Sequence, residues 1–253
     1  MPSATDELPE LIREVRARTP ARILLGRAGA AYRTGTQLDL REAHAAARDA
    51  VRAELQMAEV FGKTFTEKWK LFEVSTEAKS KYEYLLRPDL GRRFDSTSSD
   101  EIRRRCQPQP DLQIAIGDGL SVAAVAVQVP ALLPLICSGA EEREWTVGGI
   151  PVIRHCRVGI LNAIGEILAP RVAVLLIGER PGLATAESLS AYMAYRPNAG
   201  HSDADRNLIS NIHVRGLETQ AAAARIVNLA AQMIAANRSG FTLREEPRAL
   251  EIR

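Results

Sequence analysis

Two short apolar runs, each ending in glycine, constrain the fold of this chain most strongly. They are LQIAIG, from Leu112 to Gly117, and RVAVLLIG, from Arg171 to Gly178. Such short continuous runs are typical of strands buried on both faces of a parallel sheet, because helices cover both faces. Ile150 to Arg154 predicts another strand between them, and Val158 to Leu168 predicts a helix. This alternation predicts an α/β fold with a Rossmann-like, mostly parallel sheet flanked by helices.

The beginning of the chain has weaker patterns, which predict a smaller and mainly helical N-terminal region. Residues Leu8 to Arg18 predict a short amphipathic helix that Pro20 ends. Thr36 is a candidate N-cap for a second helix. The residues expected to face inward from that helix are Leu40, Ala43, Ala47, Val51 and Leu55.

The segments between this region and the first apolar run predict a strand, an arm and a helix. WKLFEVST predicts a short strand, KYEYLLRPDLGRRF a second strand or extended arm, and SSDEIRRRC a capped short helix. The prolines of QPQPD favour an extended connection, so we place a domain boundary near Pro108. The predicted domains are residues 1–107, an N-terminal helical region and arm, and residues 108–253, the Rossmann-like domain. In the latter, Thr219 is expected to cap a helix that runs to about Asn237.

The charge and hydropathy of the chain exclude some classes of partner. Lys and Arg number 33 against 31 Asp and Glu, so the formal net charge of +2 is too balanced for a dedicated nucleic-acid binder. The first residues lack the basic flank and apolar run of a secretory signal, which predicts a cytoplasmic protein. The longest apolar stretch, Leu120 to Ser138, is broken by Pro130 and Pro134 and predicts a buried segment, not a membrane span.

The cysteines and histidines do not form a recognisable metal site. Cys106, Cys137 and Cys156 lie too far apart in sequence to suggest a zinc or redox motif, so we expect three reduced thiols. The four histidines are scattered and are interpreted as structural. His213, with Asn211 before it and Gly216 after it, resembles the Asp-x-His-x-x-Gly motif that ligates cobalt in some cobalamin proteins. Asn replaces the Asp that would polarise the imidazole, which argues against axial ligation.

The loops that follow the two apolar runs are the natural place for a ligand. In open parallel sheets, ligands bind beyond the carboxyl ends of the strands. These loops begin with Asp118-Gly-Leu-Ser and Glu179-Arg-Pro-Gly-Leu. Their glycines allow close backbone approach, and Ser121 and Thr185 can each cap a following helix. The same pattern also fits ordinary strand-to-helix turns that bind nothing.

Glu179, in the segment IGERPGL, is the residue that favours a ligand over a simple turn. A carboxylate at a buried strand end needs a partner, which either Arg180 or a ligand amide or hydroxyl can supply. The usual signatures of nucleotide-binding loops and of a serine nucleophile elbow are absent from the sequence. The residues alone therefore locate a loop without identifying its ligand.

Taken together, several ordered blocks resemble the small (light) subunit of adenosylcobalamin-dependent ethanolamine ammonia-lyase over nearly the whole chain. The blocks that carry the resemblance are TPARILLGRAG (19–29), AHAAARDAV around His44, YLLRPDLGRR (84–93), IGDGLS (116–121), IGEILAPRVAVLLIGERPGLATAESLSAYMAY (164–195) and DADRNLISNIH (203–213).

The resemblance implies a complex in which a large subunit, a TIM barrel, holds the substrate and the radical chemistry. This chain would contribute cofactor contacts to a hetero-oligomer of several large/small pairs, with no catalytic residue and no metal ligand of its own. The cobalt would be held by the adenosylcobalamin itself, and the reaction would convert ethanolamine to acetaldehyde and ammonia. Some relatives carry a longer N-terminal extension associated with microcompartment packaging, so packaging of this chain is left open.

Three positions match the family's cobalamin contacts in its small subunit. They are Val158 in CRVGI, Glu179 in GERPG and Leu208 in DRNLIS. Relatives can have Cys at the position of Leu208, so here the contact is purely apolar. Glu179 is expected to accept hydrogen bonds from corrin amides or a ribose hydroxyl. The family keeps the cofactor's own benzimidazole on cobalt, which again makes His213 structural.

Two other function classes remain open from the residues alone. One is a stand-alone α/β protein that binds a small molecule or uses the Asp118 and Glu179 carboxylates in catalysis. The other is a structural interaction module without catalysis of its own.

Overall fold

The computed structural model describes residues 10–19 and 21–245. The helices are α1 (Glu10–Ala17), α2 (Thr34–Arg52), α3 (Met57–Lys68), α4 (Lys81–Leu86), α5 (Ser96–Arg105), α6 (Val122–Glu141), α7 (Ile160–Leu168) and α8 (Thr219–Ala236). The strands are β1 (Arg27–Ala28), β2 (Ala31–Tyr32), β3 (Leu71–Ser75), β4 (Leu112–Gly117), β5 (Ile150–Arg154), β6 (Val172–Gly178), β7 (Leu189–Tyr195) and β8 (Asn207–Ile212).

A six-stranded sheet with the order β3-β5-β4-β6-β7-β8 forms the centre of the fold. Its first four strands run parallel, whereas β7 and β8 continue from β6 as an antiparallel meander. The predicted α/β class with a mostly parallel sheet is confirmed. The strands predicted at 112–117 and 150–154 have the predicted bounds, and β6 begins one residue after the start of RVAVLLIG.

Alternating side chains of the central strands supply two cores, one on each face of the sheet. On one face Val172, Val174 and Leu176 of β6 pack in a cluster that includes residues of α3, α6 and α8. On the other face Leu175 and Ile177 pack in a cluster with α5 and α7. Every residue of β4 and β6 is buried, which explains why both strands appear in the sequence as continuous apolar runs.

The apolar stretch that contains Pro130 and Pro134 is buried only in part, since Val127 and Leu135 are exposed, and the prolines do not break it. Both lie inside α6, which is continuous from Val122 to Glu141. Each proline removes one helix hydrogen bond, yet burial of residues such as Leu132 and Ile136 holds the helix against the sheet. Among the described helices, α6 is also long and apolar enough to cross a membrane by length and composition.

The segment KYEYLLRPDLGRRF was predicted as a strand or arm, and that prediction is wrong. It forms α4 and a short 3-10 helix at Leu90–Arg92. The Ser80 hydroxyl accepts a hydrogen bond from the Glu83 amide, and the Glu83 carboxylate accepts one from the Lys79 amide, 2.7 Å away. Ser80 and Glu83 therefore cap the start of α4, a pattern visible in the sequence as Ser-x-x-Glu.

Two predicted helix starts are also shifted in the structure. The helix expected to begin after Thr36 begins at Thr34, with Arg33 as an N-cap that makes no side-chain cap bond. The predicted stripe on α2 is only half-buried, and Leu55 is buried beyond the end of the helix. At the C-terminal end Thr219 is the first helical residue of α8, and Glu218 precedes it as N-cap.

The remaining differences concern the edges of the sheet. No helix follows Thr185, because the chain enters β7, which pairs along its whole length with β6. At the other edge β3, the short strand predicted from WKLFEVST, pairs with β5. The sheet therefore takes one strand from the region predicted to be mainly helical, residues 1–107. The division into two domains near Pro108 stays a prediction.

Candidate functional site

A pocket of about 350 Å³ lies beyond the carboxyl ends of β4, β5 and β6. Parallel strands end at one edge of a sheet, which brings loops that are distant in sequence to the same place. The residues that line the pocket end or follow the strands β4, β5 and β6, or belong to α4, β7 and β8: Tyr84, Gly119, Leu120, Cys156, Arg157, Val158, Ile177, Gly178, Glu179, Arg180, Ser190, Tyr192 and Leu208.

All three residues predicted to contact a cofactor line this one pocket. Val158 follows β5 and is half-buried, Glu179 directly follows β6, and Leu208 lies on β8. Leu208 leaves 45% of its surface exposed on β8, which is an edge strand of the sheet. The pocket therefore combines exposed apolar surface with one carboxylate.

The Glu179 carboxylate is held in place by two serines and a backbone amide. The Ser188 hydroxyl donates to Oε2 at 2.8 Å, the Ser190 hydroxyl donates to Oε1, and the Asn211 amide lies 3.2 Å from Oε1. Arg180, one of the two alternatives left open as partner of this carboxylate, makes no such contact and is exposed. These neutral donors fix the carboxylate at the pocket wall without cancelling its charge.

The phenol of Tyr192 is a further polar group in the lining of the pocket. Burial raises the pKa of Tyr192, and the negative charge of Glu179 raises it further. The phenol therefore keeps its proton at neutral pH and stays a hydrogen-bond donor in the pocket.

Asp118, the other strand-end carboxylate, has a different environment. It is 1% exposed, and its two oxygens accept from the amides of His155 at 2.9 Å and Cys156 at 2.8 Å. The buried Lys81 ammonium lies 3.4 Å from Oδ2 and donates to the Gly119 carbonyl at 3.1 Å. Asp118 thus joins the ends of β4 and β5 to α4, and both its oxygens are engaged within the protein.

Gly119 in the loop after β4 and Gly178 at the end of β6 allow the two strand ends to approach closely. A Cβ on Gly119 would lie 2.2 Å from the Gly178 carbonyl oxygen, and one on Gly178 would lie 2.0 Å from the Ser121 carbonyl oxygen. Gly119 also has a φ of +56°, which favours glycine. Ser121 caps α6 as predicted, since its hydroxyl accepts from the Ala124 amide at 3.3 Å. The loops after β4 and β6 are therefore packed directly on each other.

The ring of His213 is buried and both its nitrogens have partners. Nδ1 accepts from the Arg215 amide at 3.2 Å, so Nε2 carries the proton and donates to Asn211 Oδ1 at 2.8 Å. A Cβ on Gly216 would lie 2.3 Å from the Asn211 carbonyl oxygen, so the apparent cobalt-binding motif forms a tight turn. Within the described residues no group of three or more His, Cys, Asp and Glu could hold a metal ion. The three cysteines are free thiols, as predicted.

Sequence reasoning missed part of the pocket wall. The guanidinium of Arg157 stacks 4.2 Å from the ring centre of Tyr84, whose hydroxyl donates to the Cys156 carbonyl at 2.8 Å. These contacts join α4 to the loop after β5, and no short-range sequence pattern predicts them. Ser190 of β7 and Ser188 just before it are two residues apart and so share one face, a signal that assigning β7 as a strand would have revealed.

Comparison with known proteins identifies the family. A family model described as "Ethanolamine ammonia-lyase light chain (EutC)" matches residues 9–244. The chain belongs to this family. The family predicted from the sequence blocks is therefore confirmed.

Curated relatives of the chain carry the same description. An ethanolamine ammonia-lyase small subunit of Clostridium perfringens is 43% identical over 231 residues, which cover 91% of this chain and 76% of that protein. One of Clostridium acetobutylicum is 38% identical over 235 residues, covering 93% and 95%. One of Listeria monocytogenes is 41% identical over 226 residues, covering 89% and 75%.

If Asp118 is structural, removing it will destabilise the fold. Asp118→Ala leaves the buried Lys81 ammonium without its counter-charge and two buried amides without acceptors, so we expect a loss of about 3–5 kcal/mol in the free energy of unfolding. The double variant Asp118→Ala/Lys81→Met should lose less than the sum of the two single variants, because no unpaired charge remains. Urea unfolding measures the free energy of unfolding of the two single variants and of the double variant. A loss below about 1 kcal/mol for Asp118→Ala would show that the carboxylate does not hold the loops.

Proposed function

We propose that this chain is the small subunit of an ethanolamine ammonia-lyase and that it contributes one wall of an adenosylcobalamin site. Membership in the light-chain family supports the subunit assignment. The observation that carries the cofactor assignment is the convergence of Val158, Glu179 and Leu208 on one pocket. These residues come from three separate parts of the sequence, and only the fold brings them together.

The chemistry of the pocket fits a corrinoid. A corrin ring has large apolar faces and a rim of amide side chains, which suit exposed Leu208 and half-buried Val158 on one side and the Glu179 carboxylate on the other. The described residues offer no cluster of metal ligands at the pocket. That suits a cofactor that carries its own metal. At about 350 Å³ the pocket is smaller than a corrinoid, so a second chain must complete the site.

Within this site the chain's residues bind, orient and exclude water. Adenosylcobalamin supplies a cobalt–carbon bond whose cleavage starts radical chemistry. Glu179 would accept hydrogen bonds from the amide rim, with its own orientation fixed by Ser188 and Ser190. Leu208 and Val158 would cover apolar cofactor surface and keep water from it. No residue of this chain is assigned a step in the reaction.

The conversion of ethanolamine to acetaldehyde and ammonia would take place on the large subunit, which we propose to be a TIM barrel. Asp118 is saturated by internal contacts, and Glu179 is assigned in this proposal to the cofactor, so neither strand-end carboxylate is left for catalysis. A stand-alone carboxylate enzyme is therefore disfavoured. We expect the complex to be a cytoplasmic hetero-oligomer of several large/small pairs.

The N-terminal part of the chain is the proposed contact with the large subunit. Exposed apolar side chains are frequent there, including Leu11 at 69%, Leu24 at 54% and Leu38 at 58% exposure. Neither α1 nor α2 contains a fully buried residue. Helices in water need an apolar face covered, so this region is suited to bind a partner.

Replacing Glu179 tests the cofactor assignment. In the complex with the large subunit, Glu179→Ala removes one or two charge-assisted hydrogen bonds and should weaken adenosylcobalamin binding by about 1.5–3 kcal/mol. Titration followed by the visible spectrum of the cofactor measures the affinity. Glu179→Gln, which keeps an acceptor oxygen but not the charge, should give a smaller loss.

Glu187→Ala is the matched control, since Glu187 is exposed on the same loop but does not line the pocket. It should leave the titration unchanged. If Glu179→Ala and Glu187→Ala bind the cofactor equally well, Glu179 has no role at the corrin.

Serine substitutions on the N-terminal surface test the partner contact. Leu24→Ser and Leu38→Ser should each weaken association with the large subunit by about tenfold or more, because burying a leucine contributes about 1.5–3 kcal/mol. Phe241→Ser, at a side chain that is 79% exposed in the C-terminal 3-10 helix, is the control and should leave association unchanged. Association is measured by sedimentation of the mixed subunits. If all three variants associate with the large subunit as the wild type does, Leu24 and Leu38 do not lie in the interface.

A further inference from the structure

A second pocket of about 520 Å³, with three arginines in its lining, neighbours the proposed cofactor pocket along the chain. Consecutive residues line the two pockets: Val158 lines the proposed cofactor pocket, and Gly159 lines the second pocket. On the other side Arg206 lines the second pocket two residues before Leu208 of the first. A ligand larger than one pocket could therefore extend from one into the other.

The buried guanidinium of Arg206 has an unused donor. Its side chain is 4% exposed; Nη1 pairs with Asp203, and Nη2 donates to Asn162 Oδ1 at 2.8 Å. Its Nε is buried and has no hydrogen-bond partner. A buried N–H without an acceptor is costly, so this donor is suited to an acceptor that a ligand would bring.

Positive charge in the pocket exceeds the negative charge available to pair with it. Within the described chain, the guanidinium groups of Arg92 and Arg93 make no hydrogen bond or ion pair, although both residues line the pocket. The Asp203 carboxylate pairs with Arg206, and the Glu166 carboxylate accepts from the Ala199 amide at 3.0 Å. Burial lowers the pKa of Arg206, the charges of Asp203 and Asp205 raise it, and the positive charge of Arg92 lowers it. A bound anion would offset the repulsion between the guanidinium groups of Arg206 and Arg92.

The start of α7 also contributes to the pocket. Gly159, Asn162 and Ala163 line it, so the positive end of the helix dipole lies in this region, whereas the amides of residues 160–162 donate to the carbonyls of residues 157–159. A Cβ on Gly159 would lie 2.9 Å from Cγ of Arg92, so the glycine lets the arginine stem pack close to the helix. His201 adds a buried Nδ1 without a partner.

We propose that this pocket binds a phosphate group. Arginine guanidinium groups match phosphate oxygens in geometry and charge, and two exposed arginines beside one buried arginine can surround it. The source that fits the adjoining pocket is the phosphodiester in the nucleotide loop of a cobalamin. This assignment rests on the proposed cofactor site; the other source of the same chemistry is free phosphate.

The test uses glutamine variants of the two exposed arginines in the complex with the large subunit. Arg92→Gln and Arg93→Gln keep the packing of the side-chain stem, whereas replacing buried Arg206 would confound binding with folding. Arg238→Gln is the control, since Arg238 is exposed and lines neither pocket. Each complex is titrated with adenosylcobalamin and with adenosylcobinamide, which keeps the corrin ring but lacks the phosphodiester and the base.

We expect Arg92→Gln and Arg93→Gln each to weaken adenosylcobalamin binding by about three- to tenfold, as for loss of one exposed charge-assisted contact. Binding of adenosylcobinamide should not change, and Arg238→Gln should bind both as the wild type does. Equal weakening of both corrinoids, or no weakening of either, overturns the assignment to the cofactor phosphate.

Inorganic phosphate tests the pocket independently of the cofactor. At constant ionic strength it should raise the midpoint of thermal unfolding of the wild-type complex but not of Arg92→Gln, and it should compete with adenosylcobalamin. A phosphate effect that depends on Arg92 without any competition assigns the pocket to free phosphate. No phosphate effect together with unchanged cobalamin binding in the variants overturns the proposal. A wild-type complex that binds neither corrinoid contradicts the proposed function instead, and the phosphate measurement then still tests the pocket.

Discussion

The hydrogen bonds of the buried Asp118 carboxylate are the interaction on which the rest of the site depends. They fix the amides of His155 and Cys156, and the ion pair with Lys81 adds α4 to the same assembly. The loop after β4 then packs on the loop after β6 through Gly119 and Gly178, where no side chain would fit. Three strand ends and one helix are thereby held in a fixed arrangement, and the pocket forms above them.

Two carboxylates at equivalent strand ends have opposite roles because of their neighbours. Asp118 meets backbone amides and an ammonium group inside the protein, so little capacity remains for a ligand. Glu179 meets two serine hydroxyls and one amide at a wall of the pocket, which orient it but leave its charge in place. A binding surface needs such fixed groups, because a ligand then loses less affinity to ordering of the site.

The sequence predicted the parts of the fold that depend on local pattern. Burial on both faces makes β6 apolar throughout and β4 apolar except for Gln113, so their positions and the location of the pocket follow from the sequence. By contrast, β7 and β8 owe their structure to long-range antiparallel pairing, and α4 was missed although Ser80 and Glu83 carry a recognisable cap. No pattern identified Val158 or Leu208; only the family resemblance pointed to them, and the structure then placed both beside Glu179. The hydrogen bond from Arg206 to Asn162 could not be predicted from the sequence either, because the two residues are far apart along the chain.

Amide hydrogen exchange of the assembled complex, with and without adenosylcobalamin, tests the central claim most directly. If this chain covers the cofactor, binding should slow exchange in the exposed loop 179–183 and around residues 157–159, where the pocket is open in the isolated chain. Exchange in α8, on the opposite face of the sheet, should stay the same. Unchanged exchange in both loops, with the cofactor shown to be bound by its visible spectrum, would contradict the claim.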